Sequence, residues 1–518
     1  MNFPRYVRVL LAVASGVALA LSFPNYNLPL LAWFAVGMLV LASAGARSFE
    51  SLLYGFLHGI VFYPVCLPWI AVVMHQYGNV DPWMSAGIVS LIGIAGGIVC
   101  SMFSLCVALA ARKSAALACL LAPFLWVSLE FLRTHLPIIG FPWNLTGYAA
   151  SGSLALLQLT AVTGIYGLSF LIAACSSLLA YAVMARARRV WTSVIVATVV
   201  LILVATAGGY LVPKQAPRFI AHLVQTNFPQ SEQYPGNWLE IHLGELQELE
   251  RISVDAAKKS PGLVVWPEVP APFSFQEPTF AALATRIARE AGNDFLVGVV
   301  DWKRGPDGQG IASNSAVLLD RYGRRTFTYD KIHLVPFGEY VPLRRWLTFA
   351  SRLTADISDF TPGRIYVVGH LHGVETYVPS AGPTFGVFIC YEAIFPGEVR
   401  EFTAKGAQLL INVSNDGWFG RSAAPAQHVM MARVRAVESR RWLLRDTNNG
   451  YTVSVDPYGR VIASMATDVR GELEAPYDFR SDFTPYARFG DWFSWLCVLV
   501  SVVVFVFGFS DVTNMLAD

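Results

Sequence analysis

Hydrophobic positions fall along this chain in two regimes. Through residues 1–213 they run in long, nearly unbroken stretches, of the length, about 20 residues, that a helix needs to cross a hydrocarbon core. The runs predict spans at 6–23, 28–46, 52–73, 84–111, 115–132, 154–184 and 190–212, and an eighth at 491–509, "DWFSWLCVLVSVVVFVFGF". Between them, residues 214–490 change period. Short β-rich runs recur at 219–225, 262–268, 294–300, 315–320, 385–392, 408–414 and 451–457, each followed by polar or turn residues. Segments with apolar residues every three or four positions lie between several of them, such as "NWLEIHLGELQELERISVDAAKK" and "PAQHVMMARVRAVESRRW". Strands alternating with helices predict an α/β domain of layered sheets. The chain thus divides into a helical bundle (1–213, seven spans), a globular domain (214–490) and a closing span (491–518).

Composition agrees with membrane spans, since 54% of the 518 residues are hydrophobic and only 14% charged. The net charge of +2 gives no electrostatic footprint for nucleic acid. Zinc-type Cys/His spacing, a P-loop and a Rossmann glycine fingerprint are all missing, so neither metal nor nucleotide cofactor is expected. The first apolar run, with Arg5 and Arg8 ahead of it, has features of a cleaved signal peptide. Another apolar run follows within a few residues, so the expectation is a retained span.

Lys and Arg in the short loops set orientation. Arg5, Arg8, Arg47, Arg112, Lys113, Arg186, Arg188 and Arg189 fall on one side, whereas the opposite connections carry only Arg133, at a membrane edge. Seven crossings from a cytoplasmic N-terminus place residues 214–490 outside, on the periplasmic face of a bacterial inner membrane.

That placement isolates one cysteine. Cys66, Cys100, Cys106, Cys119, Cys175 and Cys497 lie in or beside predicted spans, where a free thiol behaves as a small hydrophobe. Cys390, in "FGVFICYEAIF", is alone in the globular domain and has no partner there for a disulfide. By itself it reads as a small core residue. Two other residues also follow strand-like runs, where such folds present functional groups. Glu268 ends "LVVWPE", hemmed by Trp266, Pro267 and "VPAP", which would desolvate it and raise its basicity. Lys331 opens "KIHLVPFGEYVP", where a buried ammonium could stabilise a thiolate and an oxyanion. Each has a plain alternative, a solvated loop carboxylate or a helix cap for Glu268 and a surface lysine for Lys331.

Taken together, Glu268, Lys331 and Cys390 make the domain resemble the nitrilase superfamily, and the whole chain resembles that superfamily's membrane-integrated branch, the bacterial apolipoprotein N-acyltransferases. "WPE", "DKIHLVPFGEYVP" and "CYE" carry the resemblance, with "QTNFPQ" and Trp238, "NVSNDGWFG", "QHVMMARVRAVE", "TNNG", "EFLR" and "GFPW". It implies an α-β-β-α sandwich, with Glu268 as general base, Lys331 stabilising the oxyanion and Cys390 as nucleophile. Glu339, Tyr391 and Glu392 would support the site, and Trp238 and Tyr340 would lie near a lipid entrance. The implied reaction is a ping-pong transfer of an acyl chain from a phospholipid, through a Cys390 thioester, to the α-amine of a diacylglyceryl-cysteine on an apolipoprotein. Loops near 333–349 and 141–148 are the candidates for a lid that keeps water from the thioester. One rival is a membrane-anchored amidase with the same three side chains. Another is a transporter or sensor, disfavoured because the spans hold few ionisable groups beyond Glu130 and Arg133.

Overall fold

The computed structural model describes residues 3–78, 80–136, 140–230, 234–305, 308–340, 360–373 and 382–508. Residues 341–349 of the proposed lid lie outside that set.

Among the described residues, five helices are long and apolar enough to cross a membrane: Ser48–Cys66, Pro82–Lys113, Ala115–Thr134, Ile165–Ala185 and Arg188–Leu211. This is fewer than the eight spans expected from the sequence. The runs at 6–23, 28–46 and 491–509 form shorter helices, Arg5–Leu21 (17 residues), Ala32–Ser43 (12) and Trp492–Gly508 (17). Two further runs break where the backbone cannot continue a helix. The 52–73 stretch stops after Pro64, at Cys66, and restarts beyond Pro68 as Trp69–Gln76. The 154–184 stretch begins as two single turns and becomes a long helix only after Gly164, which takes a φ of +66°.

Small residues let these helices approach closely. A Cβ added to Gly59 would lie 2.5 Å from the Cα of Gly97 on the neighbouring helix. Arg8, buried in this half, donates to the carbonyls of Ala42 (2.7 Å) and Ala44 (2.8 Å), satisfying the end of helix Ala32–Ser43.

The globular half holds two six-stranded sheets. The first has the order β12-β1-β2-β3-β4-β5, with β1 Phe219–Gln225, β2 Leu263–Val265, β3 Phe295–Arg304, β4 Gly310–Leu319, β5 Arg325–Asp330 and β12 Gly471–Tyr477. The second has the order β11-β10-β9-β8-β7-β6, with β6 Val368–His370, β7 Thr384–Ile389, β8 Leu409–Ser414, β9 Leu443–Thr447, β10 Val453–Val455 and β11 Val461–Ser464. Each sheet has three parallel strands at its centre, β1-β2-β3 and β7-β8-β9, and antiparallel strands outside them.

The period of two within strands builds the layers. In β2, Leu263 and Val265 join the core between the sheets, whereas Val264 turns to the opposite face and packs with helices Leu243–Lys259 and Pro278–Ala291. Helices Pro396–Ala404 and Ala424–Ser439 pack on the second sheet through Val399, Phe402, Ala432 and Ala436.

Helix Ala424–Ser439 also joins the sandwich to the bundle. Gln427 accepts from Trp143 Nε1 (2.7 Å) and donates to the carbonyls of Pro24 and Cys66. At its other end, Glu438 accepts from the amide of Ile165 (2.8 Å), the first residue of a long membrane helix. One apolar cluster runs without interruption from the membrane helices to Tyr391, Ile394 and Phe395 in the sandwich.

Candidate active site

Three strand ends set the site. Glu268 follows β2 by three residues, Lys331 follows β5 directly and Cys390 follows β7 directly. The two sheets face each other across the central core, so turns leaving different sheets meet at one end of the sandwich. Glu268, Lys331 and Cys390 are 5%, 1% and 6% exposed, which excludes a solvated loop carboxylate and a surface lysine as their description.

Lys331 Nζ lies 2.9 Å from Oε1 of Glu268 and 2.9 Å from Oε1 of Glu339. Asn314, on β4, donates its amide to both carboxylates at 2.7 Å. The second oxygen of Glu268 accepts from the Asn415 amide (2.9 Å) just beyond β8, and that of Glu339 from the Val335 amide (2.8 Å). Burial opposes the charge on Lys331, but the carboxylates of Glu268 and Glu339 outweigh it and hold its pKa well above the ordinary lysine value. The site therefore carries a fixed ammonium.

Cys390 feels both charges. Burial pushes its thiol pKa up, the Glu268 carboxylate adds to the rise, and the Lys331 ammonium opposes it. The resting group is a thiol, so nucleophilic attack needs a base to take its proton.

The backbone at the site is strained. Cys390 has a φ of +48° and Val269, next to Glu268, a φ of +26°, regions that cost a non-glycine residue roughly 1–3 kcal/mol each. A left-handed residue between β7 and the single turn Cys390–Ile394 makes a sharp elbow. Behind Glu268, β3 passes so closely that a Cβ on Gly298 would lie 2.6 Å from the Cα of Glu268. Only glycine fits there.

Glu392 ties the elbow to the lysine turn. Its Oε2 accepts from the amide of Ile389 (2.7 Å), and its Oε1 from Tyr329 (2.7 Å) and the amides of Ile332 (2.7 Å) and His333 (3.2 Å). Burial raises its pKa from the ordinary 4.5 to about 7, with Glu398 adding to the rise and these hydrogen bonds opposing it.

Of the other residues singled out in the sequence, Tyr391 is buried in an aromatic wall. Its ring faces Phe141 (6.5 Å between centroids), His333 (5.6 Å) and Phe395 (5.2 Å). The two lid candidates therefore meet over the residue next to the nucleophile, one through Phe141 and the other through His333. Tyr340 is half-buried in a small loop in which Phe337 donates its amide to the Tyr340 carbonyl (2.8 Å). Trp238 is not in this group. It stacks on His242 (4.1 Å) and packs against Phe228 and Phe273 in the outer core of the first sheet. Among the described residues, no hydrogen bond or ring contact links it to Glu268, Lys331 or Cys390.

Asn314, Asn415, Asp416 and His428 join the site without a role predicted from the sequence. Their only signal was polarity: an Asn in the strand "SNSAVLLD", and "SND" closing the run "LLINV".

Two family models match the chain. The apolipoprotein N-acyltransferase N-terminal domain covers residues 15–178, and the carbon-nitrogen hydrolase domain covers residues 231–478. An apolipoprotein N-acyltransferase of Geobacter metallireducens is 35% identical over 510 residues, spanning 96% of this chain and 95% of that protein. One of Methylococcus capsulatus is 31% identical over 490 residues, 93% of each. Among solved structures, an amidase from Nesterenkonia sp. aligns with 54% of this chain and 95% of its own, at 20% identity and a TM-score of 0.36.

Proposed function

The chain belongs to the apolipoprotein N-acyltransferase family, and on that premise we propose that it moves a fatty acyl chain from a membrane phospholipid to the α-amine of the S-diacylglyceryl-cysteine at the start of an apolipoprotein. Glu268 takes the proton of the Cys390 thiol. The thiolate attacks an ester carbonyl of the phospholipid, and Lys331 stabilises the oxyanion of the tetrahedral intermediate. Collapse breaks the carbon–oxygen bond. The departing lysophospholipid oxygen receives the proton from Glu268, leaving an acyl thioester on Cys390. The apolipoprotein amine then attacks that thioester and gives its proton to Glu268. A carbon–nitrogen bond forms, the carbon–sulfur bond breaks, and the proton returns to the Cys390 thiolate.

Glu339 helps to hold Lys331, Glu392 fixes the two turns, and Tyr391 with Tyr340 borders the acyl path; Trp238 would act at its outer rim. Eight membrane segments, with a cytoplasmic N-terminus and residues 214–490 in the periplasm of a bacterial inner membrane, agree with the loop charges. A 17-residue helix such as Arg5–Leu21 rises about 26 Å, close to the hydrocarbon thickness.

One observation carries the lipid reading. Tyr391, adjacent to Cys390, belongs to the same apolar cluster as the membrane helices. An acyl chain leaving the bilayer could reach the nucleophile without crossing water, a route that a small soluble amide would not need. Confining the site at the membrane also raises the effective concentration of two anchored substrates.

The test is to incubate the purified protein with a phospholipid carrying a labelled acyl chain and a diacylated lipopeptide. Label is expected on the peptide amine. Hydrolysis of a small amide without any such transfer would favour the amidase reading instead.

A further inference from the structure

Behind the nucleophile lies a buried polar group that the reaction above does not use. His428, in the second turn of helix Ala424–Ser439, is fully buried. Its Nε2 lies 3.0 Å from the carbonyl oxygen of Cys390. A carbonyl can only accept, so Nε2 carries a proton and donates it. The opposite nitrogen, Nδ1, is 3.1 Å from both Asp416 Oδ1 and Arg445 Nη2. Arg445 in turn donates to both oxygens of Asp416, at 2.8 and 2.9 Å, and Ser414 donates to Oδ1 at 3.0 Å. Asp416 and Arg445 are themselves fully buried, so the ring is held from behind by an ion pair that solvent does not reach.

The ring is packed from both halves of the molecule. Trp143 stacks on it at 5.7 Å and 28° between planes, and Phe419 meets it edge-on at 5.8 Å. Trp143 is fixed through its Nε1 bond to Gln427, the residue before His428. The imidazole is thus oriented on three sides, and its remaining polar atom meets the backbone of the one residue at the site that is both left-handed and a nucleophile.

We infer that His428 is a positioning residue for acyl transfer: by donating Nε2–H to the Cys390 carbonyl, while Arg445–Asp416 and the membrane-side Trp143 fix its ring, it holds the nucleophile elbow and with it the direction of the Cys390 sulfur. The inference deepens the acyl-transfer reading and rests on it for the identity of the acyl donor. His428 touches no reacting atom. Its contribution is orientation, where a displacement of about 1 Å is enough to cost on the order of 100-fold in rate.

Two variants separate this role from plain structural support. His428→Gln carries an amide N–H about where Nε2 sits, whereas His428→Asn ends near the position of Nδ1 and cannot reach the Cys390 carbonyl. The full-length protein in lipid nanodiscs is given labelled phospholipid without acceptor, and the burst of lysophospholipid and of Cys390 thioester is followed. In parallel, alkylation of Cys390 by iodoacetamide is measured by peptide mass spectrometry, a readout that needs no phospholipid. The asparagine variant is expected to acylate about 30-fold or more slowly, with half-saturation by phospholipid unchanged, and the glutamine variant within about 3-fold of wild type. Alkylation rates should follow the same order, with melting temperatures of the two variants alike. Equal loss in both folded variants, or wild-type rates in the asparagine variant, would overturn the inference. If the asparagine variant does not fold, the glutamine variant decides alone: near-wild-type rates support the role, and a loss beyond about 10-fold refutes it. If wild type itself forms no thioester, the acyl-transfer reading fails, and the alkylation series still decides the role of His428.

Discussion

Lys331 and Glu268 form a buried ion pair, Nζ to Oε1 at 2.9 Å, although 63 residues separate them in the chain. Glu339 shares the same ammonium. Lys331→Met would leave two buried carboxylates facing each other around Asn314. Breaking a buried pair typically costs about 3–5 kcal/mol, so the melting temperature should fall. Loss of the oxyanion partner should slow acylation by at least about 100-fold. Adding Glu339→Gln to that variant should recover part of the stability and none of the rate, which thermal melts and single-turnover acylation together would show.

Glu268→Gln keeps an oxygen for Lys331 and removes the base. Since burial and the neighbouring carboxylate leave Cys390 as a thiol, acylation should drop by about 100- to 10,000-fold while phospholipid binding changes little. Equal rates in variant and wild type would mean that another group takes the proton.

Much of this was legible in the sequence, and the physical reason is local. Strand ends at Glu268 and Cys390 follow from β-rich runs that stop at turn residues, and burial on both faces made those two runs continuous, whereas β5 ahead of Lys331 is partly exposed and mostly polar. Short edge strands such as β6 and β11 went unseen, because three or four residues carry too little pattern. Helix bounds in the membrane half were less legible for a different reason. Hydropathy summed across Pro64 to Pro68 does not register a break that the missing amide hydrogens impose. That Trp238 packs in the outer core of the first sheet was not legible, since an aromatic residue carries no local mark of which cluster it will join. His428 was hidden because its partners, Asp416, Arg445 and the Cys390 carbonyl, are assembled only by the tertiary fold.

Glu392 gives a pH signature. Its pKa in the folded protein, about 7, is raised above the ordinary 4.5, so its contribution to stability is complete below about pH 4.5 and is lost as pH rises through about 7. Glu392→Gln does not titrate. The stability difference between wild type and this variant should therefore shrink from pH 5 to pH 8, measured as melting temperatures in one detergent. A difference constant across that range would contradict a raised pKa.

The wall over Tyr391 makes a fourth claim testable. Phe141→Ala removes the ring that the membrane half places against it. Water should then reach the thioester more easily, so the ratio of fatty-acid release to peptide acylation should rise several-fold with lysophospholipid formation still intact. An unchanged ratio would remove Phe141 from the shield.

The central claim is that Cys390 carries the acyl chain between two lipid-anchored substrates. Intact-mass measurement of the protein after exposure to a phospholipid of defined chains, without acceptor, tests it most directly. The account predicts a mass increase of one acyl group on wild type, mapped to Cys390, removed by adding a diacylated lipopeptide and never formed on Cys390→Ala. An adduct that persists in the alanine variant, or acylated peptide produced by that variant, would contradict it.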